Sequence, residues 1–258
     1  QYSLNDYEEE GLEKNVSPLE QRIETFKQLT NALGKGHVIW RFDPLVLTDN
    51  INIDKLLDKV ENIGNQLLGY TEKLVFSFAD ILSYRKVQAN LQKASINYID
   101  WQENQMREFA RRLSVLNQKW GYELATCGEK IDLTEFGVKK NHCVDDELII
   151  RLAYDDKKIM DYLKVKFYPM PQKSLFGDSE SLPDSAIILP NGMYALHGDN
   201  KDKGQRAFCG CIKSKDIGEY NTCVHGCEYC YANASKQAAV MNYKCHKENP
   251  WSETITGK

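Results

Sequence analysis

His37-Val38-Ile39-Trp40-Arg41-Phe42-Asp43-Pro44 is the stretch that sets the fold. A dense run of apolar and aromatic residues, closed by Asp-Pro, reads as a strand buried on both faces and ended by a turn. Such strands belong to parallel sheets, and parallel neighbours need a crossover helix between them. The flanking sequence supplies those helices. Upstream, Ser17-Pro18-Leu19-Glu20 combines a capping box with proline at the first helical position. Leu19, Ile23, Phe26, Leu29 and Leu33 then recur on one face, and Gly34 ends the helix. Downstream, Ile53, Leu56, Leu57, Val60, Ile63 and Leu67 predict a helix over 52–68, and Lys73–Phe78 (KLVFSF) the next strand. A third round follows: a helix over about 102–119 with Met106, Phe109, Leu113 and Leu116 on one face, then the strand Tyr122–Cys127. Gln1-Tyr2-Ser3-Leu4 reads as strand from the first residue, and Gln1 in place of methionine points to a chain cut upstream.

This alternation predicts an α/β fold with a parallel sheet, a partial (β/α) barrel of TIM type, truncated at its N-terminus. Right-handed crossovers would set every strand's C-terminal end on one rim. Arg41 and Asp43 close one strand, Ser77 and Asp80 another, and Cys127 a third. Arg41, Asp43 and Ser77 are therefore expected to line a ligand or cofactor site. The plainer alternative is a local turn at Asp43-Pro44 with Arg41 paired nearby. Residues 83–100 read as an irregular, partly helical excursion that exposes Tyr84, Arg85 and Lys86, and 146–165 as one polar helix. Ala186–Leu189 and Tyr194–Leu196 flank Pro190-Asn191-Gly192 as a small hairpin, in a stretch punctuated by Gly177, Gly192 and Gly198. The expected division is a barrel portion over 1–165, a connecting segment over 166–205 and a cysteine-rich segment over 206–258.

Composition narrows the function classes. The 258 residues carry a formal net charge of −4, which argues against a general nucleic-acid binder. No apolar run approaches the roughly 20 residues of a membrane helix, and no signal peptide is visible. Eight cysteines without a secretory signal suit a reducing, cytoplasmic setting.

Three of those cysteines fall in Cys223-Val224-His225-Gly226-Cys227-Glu228-Tyr229-Cys230, a C-x3-C-x2-C spacing. Each thiolate of such a loop can hold one iron of a [4Fe-4S] cluster. Cluster sites usually take four thiolates, so one iron is left for another ligand. Zinc is the alternative, with His225 or His246 as fourth donor; disulfides fit poorly in a chain this long and this poor in cysteine. Cys127, Cys143, Cys209 and Cys211 offer a second set, for a second cluster or a structural zinc, unless Cys127 is simply a buried core thiol. His142, next to Cys143, is a candidate ligand or acid–base group, or an ordinary surface histidine. Lys203, Arg206, Lys213 and Lys215 lie near the thiolates in sequence, where they could offset cluster charge, bind a carboxylate or phosphate, or simply be solvated. Cys245 has no evident partner.

The cysteine loop is similar to the radical-SAM signature, in which S-adenosylmethionine binds the open iron. The block from Lys201 through Cys209-Gly210-Cys211 to Tyr231-Ala232-Asn233 resembles a bacterial family of unknown function whose members end in such a cluster. Ile39-Trp40-Arg41-Phe42-Asp43-Pro44-Leu45 and Phe76-Ser77-Phe78 extend the likeness upstream. The resemblance implies an α/β barrel whose first strand–helix units precede Gln1. It also implies an iron–sulfur enzyme of radical-SAM type, with a small-molecule or macromolecular substrate and an electron donor as partner. Two features depart from ordinary radical-SAM enzymes. Their loop follows the first barrel strand, whereas this one lies C-terminal to every strand–helix unit, and no Gly-Gly-Glu segment is present to hold the cofactor's amino group. Two other readings stand beside it: a non-catalytic barrel protein stapled by clusters or zinc, and a barrel hydrolase or isomerase using Arg41, Asp43 and Asp80.

Overall fold

The structure, a computed structural model, describes residues 1–171, 181–205 and 209–257, so Gly177 and Arg206 lie outside the described residues. Its elements run β1 (Tyr2–Ser3), α1 (Leu19–Leu33), β2 (Trp40–Leu45), β3 (Leu47–Thr48), α2 (Ile53–Gln66), β4 (Lys73–Phe78), α3 (Arg85–Lys93), β5 (Tyr98–Ile99), α4 (Glu103–Asn117), β6 (Glu123–Thr126) and β7 (Val138–Lys140). After these come α5 (Asp146–Ala153), α6 (Lys157–Tyr162), β8 (Lys166–Pro169), β9 (Ile187–Ile188), β10 (Met193–Leu196) and α7 (Lys236–Glu248). Two compact units result: Gln1–Lys139 together with Asp216–Lys258, and Lys140–Lys215.

The first unit is built on a central five-stranded sheet in the order β1-β2-β4-β6-β7, with β1 and β7 at its edges. The β1–β2, β2–β4 and β4–β6 pairs are parallel. Among the described residues the sheet is therefore open. Strands that neighbour in chain order, joined by right-handed crossovers, place their helices on one face. Trp40, Phe42, Leu74 and Phe76 from the two middle strands are buried, as the apolar runs predict.

Local chemistry sets the ends. The second strand begins at Trp40, three residues later than the apolar run suggests, and continues through a cis Asp43–Pro44 bond to Leu45. Its register shifts between Phe42 and Leu45, so Asp-Pro bends the strand and does not end it. The expected capping box at Ser17 does not form. Pro18 is the N-cap of α1 and makes no side-chain cap bond, and the Leu19 amide donates to the Glu8 carboxylate instead. Leu29 and Leu33 of the expected stripe are exposed. α2 meets its prediction, with Leu56, Leu57, Val60 and Ile63 inward and Asn52 capping the Lys55 amide. A capping box does appear at α4, between Gln102 and Gln105. The excursion after Ser83 contains a regular helix, α3, anchored by buried Val87 and Leu91.

The second unit has its own small core: Ile150, Met160, Leu163, Leu189, Ala195 and Ile212. The single helix expected over 146–165 is two, because Asp156 accepts from the Lys158 and Ile159 amides and starts a new one. The hairpin around Gly192 is present as β9 and β10, and β8 extends it to an antiparallel sheet in the order β8-β10-β9. Among the described residues no helix is long and apolar enough to cross a membrane.

Candidate functional site

The cysteine loop is pinned onto the segment that follows β1. The Glu228 amide donates to the Leu12 carbonyl at 2.9 Å. The buried Glu228 carboxylate meets Lys14 at 3.1 Å and Lys236 at 2.8 Å. Burial works against its charge, but those two ammonium groups hold it below the usual carboxylate range. The Tyr229 hydroxyl donates to the buried Glu13 carboxylate and accepts from Asn5 Nδ2 at 3.0 Å, and its ring meets Tyr7 edge-on. Gly226 turns the loop at φ +64°, a conformation that favours glycine.

This socket presents three thiols together. Cys223 is exposed and Cys227 and Cys230 are half-buried, and none of the eight cysteines forms a disulfide. Burial above all, and then the Glu13 charge, push the Cys227 thiol up to about 12, with Cys223 and Cys230 within electrostatic reach. Among the described residues, the group of His, Cys, Asp and Glu donors gathered within 4.8 Å of one another is His142, Asp145 and Asp146. Neither His225 nor His246 closes such a group with the three thiols. A tetrahedral zinc, with Zn–S near 2.3 Å, needs sulfurs only about 3.8 Å apart. A four-iron cluster seats each thiolate on a different corner and accepts a wider triad of sulfurs.

Beside the thiols lies a cavity of about 320 Å³, lined by Cys227, Cys230, Lys14, Lys86, Lys93 and Lys236, with the N-terminus of α7 at its wall. Glu228 engages Lys14 and Lys236. The Lys86 Nζ is shielded from solvent and meets no hydrogen-bond acceptor among the described residues. Of the basic groups the sequence suggests, Lys203, Lys213 and Lys215 belong to the second unit, as do Cys209 and Cys211. Sequence reading left Lys86 on an exposed excursion and passed over Lys14 and Lys93. They lie more than a hundred residues from the loop, and no local pattern could have linked them to it.

The rim residues come together next to the loop. Asp43 Oδ2 accepts from Arg41 Nε at 2.6 Å and Arg41 Nη2 at 2.5 Å, and Ser77 Oγ donates to the other carboxylate oxygen. Arg41 thus pairs locally, as the plainer alternative held, and does so inside a wider network. Asn5 joins rim and loop: its Oδ1 accepts from the Asp43 amide at 2.9 Å, and its Nδ2 donates to the Asp43 carbonyl and to Tyr229. Just past the loop, Tyr231 packs on Tyr84 with ring centres 5.4 Å apart and feels the charges of Asp43 and Arg41. Glu129, absent from the sequence expectations, accepts from the Phe78 amide at 2.9 Å. Burial, with Asp43 and Asp80 nearby, raises its carboxyl to about 7.

The remaining cysteines divide. Cys127 follows β6 in the first unit, where its amide donates to the Phe76 carbonyl. Cys143, Cys209 and Cys211 belong to the second, and Cys245 lies on α7. Burial pushes the Cys211 thiol up to about 11.

Residues 1–232 match the family described as Domain of unknown function (DUF1848), and the chain belongs to it. No curated protein and no solved structure matches the chain.

Proposed function

We propose that this chain is an iron–sulfur protein of radical-SAM type, in which Cys223, Cys227 and Cys230 hold a [4Fe-4S] cluster. One observation carries the reading. The loop follows every strand in sequence, yet it docks on Asn5, Leu12, Glu13 and Lys14, in the segment after β1. Radical-SAM enzymes place their cysteine loop after the first barrel strand; the loop of this chain departs from that in sequence position, and its docking beside the end of a parallel strand is what supports the likeness. The order of the parallel strands likewise supports reading the sheet as part of a (β/α) barrel.

When bound and reduced, a four-iron cluster of this kind supplies an electron for reductive cleavage of S-adenosylmethionine, and an electron donor is the implied partner. The chain's own part is to bind and orient. Tyr229, fixed by Glu13 and Asn5, holds the loop; Lys86 and Lys93 make the adjoining cavity attractive to an anionic small molecule, whether cofactor carboxylate or substrate phosphate. Eight cysteines suited to metals are in keeping with a reducing compartment such as the cytoplasm.

Anaerobic reconstitution with iron and sulfide tests this. We expect about four irons and four sulfides per chain, loss of both in Cys223→Ala, and cleavage of S-adenosylmethionine under a strong reductant. A loaded cluster that neither binds nor cleaves S-adenosylmethionine would leave the non-catalytic, metal-stapled reading. One observation favours a hydrolase or isomerase instead: Glu129, raised to about 7 beside Asp43 and Asp80, has the acidity of a general acid–base group.

A further inference from the structure

We propose that the cavity beside the cysteine loop is a phosphate subsite, and that the substrate is a small phosphorylated molecule. The subsite stands on its own lining; that its occupant is a substrate rests on the cluster reading above.

One wall belongs to α3. Lys86, Asn90, Lys93 and Ala94 recur at helical spacing and line the cavity along one face. Val87 and Leu91 are buried and anchor the helix to the core of the first unit, which fixes the direction of that face. The cysteine loop and the start of α7 supply further lining.

The charges in this cavity do not balance. Lys14, Lys86, Lys93 and Lys236 line it together with a single carboxylate, Glu228. Glu228 meets Lys14 at 3.1 Å and Lys236 at 2.8 Å, and one carboxylate against four ammonium groups leaves three positive charges. Lys86 is the most exacting of them, because its Nζ is shielded from solvent and meets no acceptor among the described residues. A desolvated ammonium without an acceptor is costly, and an anion in the cavity removes that cost. The flexible four-carbon stem lets the ammonium turn to meet one.

The N-terminus of α7 adds uncharged donors. The Ser235 side chain accepts from the Ala238 amide at 3.0 Å, and the Ser235 carbonyl accepts from the Ala239 amide at 3.2 Å. The amides of Lys236 and Gln237, first in the helix, have no partner within it, and both residues line the cavity. Helix amides and an excess of lysines together favour an anion, and phosphate above carboxylate. Planar carboxylates are gripped best by the arginine fork, and among the described residues no arginine lines the cavity. Separate lysines act as point charges and suit a tetrahedral dianion. A volume of about 320 Å³ is at the small end of ligand pockets, which limits the phosphorylated molecule to a small one.

Calorimetric titration of the full chain with inorganic phosphate, at matched ionic strength, tests the subsite. We expect saturable binding at about one site per chain, weakened roughly 10- to 100-fold by Lys86→Met and also weakened by Lys93→Met. Lys157→Met, on the exposed surface of the second unit, should bind as the parent does. Acetate should bind roughly 10-fold more weakly than phosphate. Phenyl phosphate should match inorganic phosphate and lose its affinity in the same two variants. Repeating the titration after reconstitution with iron and sulfide separates the two readings. A chain that forms the cluster but binds no phosphate overturns the subsite and leaves the cluster standing. A chain that binds phosphate but forms no cluster keeps the subsite and overturns the assignment of its occupant as substrate. The subsite is also overturned if acetate binds as tightly as phosphate, or if neither Lys86→Met nor Lys93→Met weakens binding. Binding of inorganic phosphate without binding of phenyl phosphate would mark a site for the free ion and overturn the substrate class.

Discussion

Glu129→Gln isolates the group in the first unit whose charge is most at odds with its surroundings. Burial and the nearby Asp43 and Asp80 raise its carboxyl from the ordinary 4.5 to about 7, although the Phe78 amide at 2.9 Å favours the carboxylate. A folded-state value above the unfolded one means that the native protein holds a proton the unfolded chain has released. This contribution to stability is complete below about pH 4.5 and is lost as pH rises through about 7. At 1.36 kcal/mol per pKa unit the full rise corresponds to roughly 3 kcal/mol, reduced to about 1–2 by solvent screening of a part-exposed carboxyl. Glutamine keeps the acceptor for Phe78 and removes the ionisation. All four tryptophans lie in the first unit, so urea unfolding followed by tryptophan fluorescence reads that unit alone. Parent and variant should coincide near pH 4.5, and the variant should be more stable by about 1–2 kcal/mol at pH 8. Parallel stability curves across that range, or a less stable variant at pH 8, would refute the reasoning.

Three further outcomes are expected. Tyr229→Phe removes the hydroxyl shared by Glu13 and Asn5, and should cost about 1–3 kcal/mol in the same assay, because a buried carboxylate loses a donor; no measurable loss would mean that the loop is not anchored there. Lys86→Met should leave the melting temperature equal or higher in chloride and abolish the rise that inorganic phosphate gives the parent at matched ionic strength; an equal rise in both chains would remove Lys86 from the anion cavity. Gly64→Ala would drive a Cβ to 2.6 Å from the Trp120 ring, which is held by the Asn65 side chain at 2.8 Å, and should destabilise by about 1–3 kcal/mol in thermal melts.

The sequence alone determined the α/β alternation and the helix faces of α2 and α4, because periodicity and apolar runs are local and burial follows them directly. It also marked the three cysteines as one chemical unit, since eight consecutive residues cannot separate their thiols far. Where the local signal was weak, as at Ser17, at α3 and over 146–165, tertiary bonds such as Leu19 to Glu8 decided the elements. The placement of the chemistry was beyond local reading. Tyr229 meets Glu13 and Asn5, Lys86 meets the thiol cavity, and Cys143 meets Cys211 across spans that no pattern in the chain encodes. A loop that follows every strand in sequence can dock after β1 because the docking is set by the buried Glu13 and Glu228 carboxylates, the Tyr229 hydroxyl and the Glu228 amide, and these meet their partners only when the fold has brought their carriers together.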